Sequence, residues 1–231
     1  MKVRAIKTRI FKEGESLEDF ISKYVPRLKE GSILVITSKI VALSEKRTAV
    51  RGDARAKEKL IRAESEWVRP TKYVWLTLKD GMMMPNAGID ESNGNGKIIL
   101  LPRDSFKAAE KVRTALKKRL KLKRLGVIIT DSRTLPLRAG VVGIAVGYAG
   151  IKGVRDYRGK PDIFGRKLVM TRTDVADALA SAAVVEMGEG KEQQPLCVIE
   201  NAPVEFREKI LRSELRIALN DDMYRPLFKN V

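Results

Sequence analysis

Apolar residues in this chain come in runs of five or six: ILVIT at 33–37, YVWLTL at 73–78, IILLP at 98–102 and LGVIIT at 125–130, each closed off by charged or turn-forming neighbours. Runs this short cannot cross a bilayer, which takes about 20 residues in a helix. Their length and β-branched content are those of buried strands. Amphipathic stretches lie between them, so the chain reads as a mixed α/β fold. A strand is expected at VRAIKTRI (3–10). A helix is expected from SLEDFISKYVPRL (16–28), where Ser16 and Asp19 stand at capping-box spacing. The strand GSILVIT follows through Gly31. DARAKEKLIRAESEWV (53–68) reads as a helix stopped before Pro70, and KYVWLTL and KIILL as strands.

The second half continues in the same way. DSFKAAEKVRTAL (104–116) is capped by Asp104 or Ser105 and places Phe106, Ala109, Val112, Leu116 and Leu120 on one face. GVVGIAVGYAGI (140–151) lacks the GxxxxGK[ST] pattern of a phosphate loop. Its glycines instead suggest closely approaching backbones or a bent strand. DVADALASAAVVEM (174–187) is an Ala-rich helix, PLCVIEN (195–201) a strand, and FREKILRSELRIAL (206–219) a final amphipathic helix. No repeat or long linker divides the chain, so residues 1–231 are taken as one domain with no assignable boundary between lobes.

The residue inventory limits the chemistry. There is no His and one Cys, Cys197. A His/Cys zinc site, a Ser-His-Asp triad, a Cys-His pair and a disulfide are all excluded. Catalysis would rest on carboxylates, Lys, Arg, hydroxyls and a hard cation. A reducing cytoplasm fits the lone Cys, and MKVRAIKTRI lacks the apolar core of a signal peptide. The net charge of +17 fits nucleic acid, a membrane surface or small polyanions. Its densest run, KKRLKLKR at 117–124, falls at the end of a helix, where cations suit the macrodipole. No RNA-binding aromatic motif accompanies it, so small anions are the preferred partners.

Three stretches carry candidate chemistry. PNAGIDESNGNGK (85–97) packs Asn86, Asp90, Glu91, Asn93 and Asn95 between apolar runs, as a metal or phosphate loop or as a polar turn. IITDSR ends an apolar strand on Asp131 and Ser132, oxygen donors of the kind Mg²⁺ and Mn²⁺ take, or a turn former and cap. MGEGKEQ ends a helix on Gly188, where a plain C-cap explains the glycine and Glu189 could be surface.

Taken together these stretches resemble the coenzyme F420-0:γ-glutamyl ligases. NAGIDESN, GVIITDS, RAGVVGIAVGYAGIKGVRDYRGKPDIFGR, DVADALASAA and MGEG occur in that family's order, and GSILVITSKIVALSE and KEGESL extend the likeness over most of residues 1–200. The resemblance implies two-lobed subunits with mixed β-sheets flanked by helices, intertwined as homodimers. It implies GTP-dependent ligation of L-glutamate to a carboxylate-bearing deazaflavin precursor, with Mg²⁺ or Mn²⁺. By position, Asp90 and Asp131 match metal ligands, Ser132 stands where a Thr hydroxyl serves a second cation, and Glu189 matches that cation's other ligand. Asn93 matches a nucleotide-contacting amide. Thr8, Arg9, Ile10 and Phe11, with Ser38 and Lys39, align with segments lining the nucleotide site. So do Met187, Gly188, Gly190, Lys191, Glu192, Gln193 and Gln194.

The chain also departs from the family. Leu43 replaces a nucleotide-contacting Lys, Thr134 and Leu135 replace a Gly-Arg pair, and MMMPN (82–86) replaces small and polar residues. An Arg→Leu change removes an anion clamp that no apolar side chain imitates. A folate-like acceptor, ATP in place of GTP, and a non-catalytic nucleotide- or metabolite-binding relative are therefore carried as alternatives.

Overall fold

Ile33, Leu34, Val35 and Ile36 are all fully buried, and alternate members enter different cores. Leu34 and Ile36 join one cluster, Ile33 and Val35 the other. Side chains of a strand point alternately to its two faces, so a run without polar residues implies cover on both. The structure, a computed structural model, describes residues 1–227. Its first half runs β1 (Lys2–Ile6), α1 (Leu17–Tyr24), β2 (Ser32–Thr37), α2 (Ser38–Ser44), β3 (Thr48–Val50), α3 (Ala54–Ala63), β4 (Trp67–Pro70), β5 (Trp75–Lys79), β6 (Met82–Pro85) and β7 (Lys97–Ile99). The second half adds α4 (Ser105–Leu120), β8 (Leu125–Arg133), β9 (Val142–Ala149), β10 (Val154–Asp156), β11 (Arg172–Asp174), α5 (Val175–Met187) and β12 (Leu196–Glu200).

The main sheet has the order β1-β12-β2-β8-β9. Only the central β2–β8 pair is parallel, with Thr37 opposite Thr130; the other neighbours are antiparallel. Helices α1, α2 and α4 cover one face and α5 the other. The fold is mixed α/β. Ser16 caps α1 by accepting from the Asp19 N–H at 3.2 Å, and Asp104 caps α4 by accepting from the Lys107 N–H at 2.8 Å. Phe20 on α1 is 3% exposed, and burial of such a side chain contributes about 1.5–3 kcal/mol. A second lobe holds α3, the β4-β5-β6 meander and the β3–β7 pair around Ile61, Ala87, Ile89, Ile98 and Leu100.

Three expected elements end differently. The helix over 53–68 stops at Ala63, and Trp67–Pro70 is a strand pairing with β5, Trp67 opposite Leu78. Val68 packs into the second-lobe core there, which a continued helix would not allow. The first strand ends at Ile6, leaving Thr8–Phe11 as a loop. The segment 206–219 is not a helix. Phe206 pairs with Ile151 in an isolated bridge, and Ile210 and Leu215 are separate anchors on the second core. Glu214 accepts from the Tyr148 hydroxyl (2.6 Å) and the Gly153 N–H (2.7 Å), while Glu208 pairs with Arg113 and Lys117. The apolar residues dock one by one along an irregular path that turns at 212–215.

Helix α5 is joined to β9 by a half-buried acid. Asp177 accepts from the Ala145 N–H at 2.8 Å, and Asp174 caps the helix by accepting from the Asp177 N–H at 2.9 Å. Burial first, and the neighbouring Asp174 second, push the Asp177 carboxyl up to about 7, against the pull of Arg133. Its pKa in the unfolded chain is about 3.9. The folded state therefore binds the proton more tightly, and this group's contribution is full below pH ~4 and lost as pH rises through ~7. Asn at 177 keeps an acceptor for Ala145 and carries no charge. Asp177→Asn is expected to raise the melting temperature over the parent more at pH 8 than at pH 4.5, read by calorimetry. An equal gap at both pH values would contradict it.

Candidate active site

Parallel pairing of β2 and β8 delivers both C-terminal ends to one edge of the sheet, the side on which ligands bind in open α/β sheets. There the chain opens a cavity of about 810 Å³. Its walls are the Thr8–Phe11 loop, the start of α2, the 85–95 loop, the end of β8 and the 187–195 loop. Every residue matched to the family by position lies on this wall, whereas Glu91 of the same loop does not.

At the end of β8, a register shift between Ile129 and Thr130 leaves Val146 of β9 as the extra residue. Such a bulge increases local twist and re-aims the residues beyond it. Thr130, Asp131, Ser132 and Arg133 all reach the cavity wall. Asp131 Oδ1 accepts from the Ser38 hydroxyl at 2.7 Å, and Oδ2 from Arg133 Nη1. Ser132 donates its hydroxyl to Glu189 Oε1 at 2.6 Å.

The 85–97 loop divides its polar residues between structure and cavity. Asn86 Oδ1 accepts from the Trp75 N–H at 2.9 Å, and buried Thr77 bonds both the Met84 carbonyl and the Ala87 N–H. Asp90 exchanges backbone bonds with Ile99 at 2.9 and 2.8 Å, which fixes where its side chain emerges. Its Oδ2 meets Lys39 Nζ at 2.7 Å, and Oδ1 accepts from the Ser92 N–H at 2.6 Å. Burial opposes the Asp90 charge, but Lys39 and Ser92 outweigh it and hold the carboxyl below its usual range. Glu91 turns away to Arg51 and Lys57. Asn93 donates to the Gly190 carbonyl at 3.5 Å, a long contact tying this loop to the next.

In the 187–195 loop, Gly188 closes α5 through its N–H to Val184 (2.9 Å) at φ +77°, a conformation that favours glycine. A Cβ there would also lie 2.8 Å from the Glu192 Cγ. Glu192 folds back to accept from the Gly190 N–H at 2.8 Å, and the Thr8 N–H donates to the Gln193 carbonyl at 2.9 Å.

The acids share one wall but are held apart in pairs: Asp90 with Lys39, Asp131 with Arg133, Glu189 with Ser132. Among the described residues no three His, Cys, Asp or Glu side chains form a group that could hold a metal ion by themselves. Mg²⁺ commonly uses only one or two carboxylates and completes its shell with phosphate and water. Asp90, Asp131, Ser132 and Glu189 all line the one cavity and offer only oxygen donors, the donor type such a cation takes.

Sequence reasoning missed Arg133 and Ser92. Strand alternation offered a signal for the first, since Asp131 and Arg133 are two apart and share a face of β8. Of the departures, Leu43 lines the cavity and packs partly on the core, whereas Leu135 is 48% exposed and off the wall. No residue of 117–124 lines the cavity; Lys117, Arg119 and Arg124 bond to Glu208, the Val25 carbonyl and Glu30.

Residues 5–201 match the family described as F420-0:gamma-glutamyl ligase. The chain belongs to this family. Among its relatives, the coenzyme F420:L-glutamate ligase of Methanococcus maripaludis is 33% identical over 92% of both chains. Those of Methanocaldococcus jannaschii and Archaeoglobus fulgidus are each 34% identical over 89% of this chain and 90% of theirs. The family match ends at Asn201, short of the strap that carries Glu208 and Glu214. No described helix is long and apolar enough to cross a membrane.

Proposed function

We propose that this ligase-family protein joins the amino group of L-glutamate to a carboxylate of a coenzyme F420-0-like acceptor, using GTP or ATP and Mg²⁺ or Mn²⁺. The observation that carries the reading is the single cavity on which all the family-matched residues meet, although they come from five separate stretches of chain.

A carboxylate is inert toward an amine until an oxygen carries a better leaving group. The acceptor carboxylate attacks the γ-phosphorus, the bond to the β,γ-bridging oxygen breaks, and nucleoside diphosphate departs. The glutamate nitrogen then attacks the acyl phosphate, phosphate leaves and the nitrogen loses its proton. A divalent cation held by Asp90, Asp131, Ser132 and Glu189 would neutralise phosphate charge that otherwise repels the incoming carboxylate. Lys39 supplies a donor at the same wall, one that a phosphate can share with Asp90. Asn93 and the 187–195 loop, joined through Gly190, would form the nucleotide side of the cavity, with Thr8–Phe11 tied beside that loop by the Thr8–Gln193 bond. The general basic charge helps gather three anionic reactants.

We also read the protein as a cytoplasmic homodimer. Exposed Ile163, Phe164, Val169 and Met170 on the arm between β10 and β11 support an apolar contact with a second copy. Burial pushes the Cys197 thiol up to about 11, leaving it an unreactive core residue.

The test is ligation of radiolabelled glutamate, with the deazaflavin precursor and a reduced folate offered in parallel and each nucleotide supplied with Mn²⁺. Glutamate is expected on the deazaflavin, with one phosphate released per bond formed. Transfer to the folate alone would reassign the acceptor. Transfer to neither, with no nucleotide consumed, would leave a binding protein.

A further inference from the structure

Arg133 is a buried guanidinium with unfinished hydrogen bonding. It is 4% exposed, yet its Nε has no partner. Nη1 serves Asp131 Oδ2 and the Ser132 carbonyl, the latter at 2.9 Å, and Nη2 faces only the Met84 sulfur at 3.3 Å. A thioether is a weak acceptor, and an under-satisfied buried charge is costly to maintain. The fold would be easier to stabilise with an apolar residue of similar length here. Asp131, meanwhile, has both oxygens restrained: Arg133 holds Oδ2, and the Ser38 hydroxyl holds Oδ1 at 2.7 Å.

We propose that Arg133 is a positioning residue that orients the Asp131 carboxylate and competes with a divalent cation for it. The inference rests on the reading above that Asp131 ligates a cation. Between turnovers Arg133 occupies one carboxylate oxygen and holds the acid in one rotamer. A cation arriving with nucleotide phosphates must share or take over that oxygen. The cost is weaker binding of the bare cation, and the gain is a fixed ligand direction when the phosphates are in place.

These two effects have opposite signs, which separates this role from a merely structural one. Mn²⁺ binding without nucleotide is followed by electron paramagnetic resonance, and kcat and KM are measured at saturating Mn²⁺. The neutral variants Arg133→Gln and Arg133→Met are expected to bind Mn²⁺ about tenfold more tightly, because a nearby positive charge is gone in both and, in Arg133→Met, the competing donor as well. Their kcat is expected to fall roughly tenfold or more through misplacement of Asp131, with KM for nucleotide changing less. Arg133→Lys keeps the charge, so its Mn²⁺ affinity is expected to stay near the parent's. Should Arg133→Met fail to fold, Arg133→Gln, which can still donate to Asp131, decides. The proposal is overturned if the neutral variants bind Mn²⁺ no more tightly than the parent, or if kcat holds. Asp131→Asn is the control for the underlying reading. If it binds Mn²⁺ as well as the parent, the cation assignment itself fails and this proposal with it.

Discussion

Asp131→Asn is expected to cut glutamate ligation by two or more orders of magnitude, the scale on which loss of one electrostatic stabiliser at a reacting centre is felt. Asn fills the same space and can still accept from Ser38, but brings no charge to the phosphates. The substitution also leaves Arg133 without its ion-pair partner. The two side chains are only 5% and 18% exposed, and stranding one member of such a buried pair costs about 3–5 kcal/mol. The melting temperature should therefore fall along with activity. The double variant Asp131→Asn/Arg133→Met separates the two losses, because it leaves no buried charge unpaired. It is expected to recover most of the stability and none of the ligation. Thermal unfolding and single-turnover kinetics on the three proteins check this. Ligation by Asp131→Asn within about threefold of the parent would remove Asp131 from the chemistry, given the hundredfold expected.

The second large effect is structural. Gly147 lies in β9 under the start of α4, where a Cβ would come within 2.6 Å of the Phe106 backbone nitrogen and of the Ser105 Cβ. Backbone cannot yield as the end of a flexible side chain can, so helix and sheet must separate. Gly147→Ala is expected to cost about 3 kcal/mol or more, beyond the usual penalty for one extra methyl in a packed core. In a chain of this size that lowers the melting temperature by roughly 6–12 °C. A shift of less than ~2 °C would show that α4 is not pressed against the strand. Gly143 makes the same kind of approach to α5, 2.6 Å from the Ala180 carbonyl oxygen. These contacts explain why 140–151 is rich in glycine without being a phosphate loop.

Much of this protein could be read locally. The runs at 33–37 and 125–130 became strands covered on both faces, where burial removes any need for alternation, whereas in 73–78 Tyr73 and Val74 stay exposed. Ser16 and Asp104 announced helix starts, because a short oxygen-bearing side chain satisfies free N–H groups one turn on. The absence of His confined catalysis to oxygen ligands and cations. The order of NAGIDESN, GVIITDS and MGEG was enough to indicate the family, and with it the residues of the cavity wall.

Local pattern could not say which charges would meet. Asn86 and Glu91 stand in the same polar loop as Asp90, yet one is spent on the Trp75 N–H and the other on Arg51 and Lys57. Likewise 206–219 has the apolar spacing of a helix but unrolls, because Glu214 gains Tyr148 and Gly153 as partners and Phe206 gains Ile151. Ser38 meets Asp131 only because β2 and β8 run parallel and in register across 93 residues of sequence separation. The sequence by itself determined the apolar runs of the central strands and which oxygen donors are at hand, since both follow from side-chain chemistry at short range. Only the tertiary structure decided that Lys39 faces Asp90 and Arg133 faces Asp131, because a charge pairs with whatever the packed backbones bring within reach.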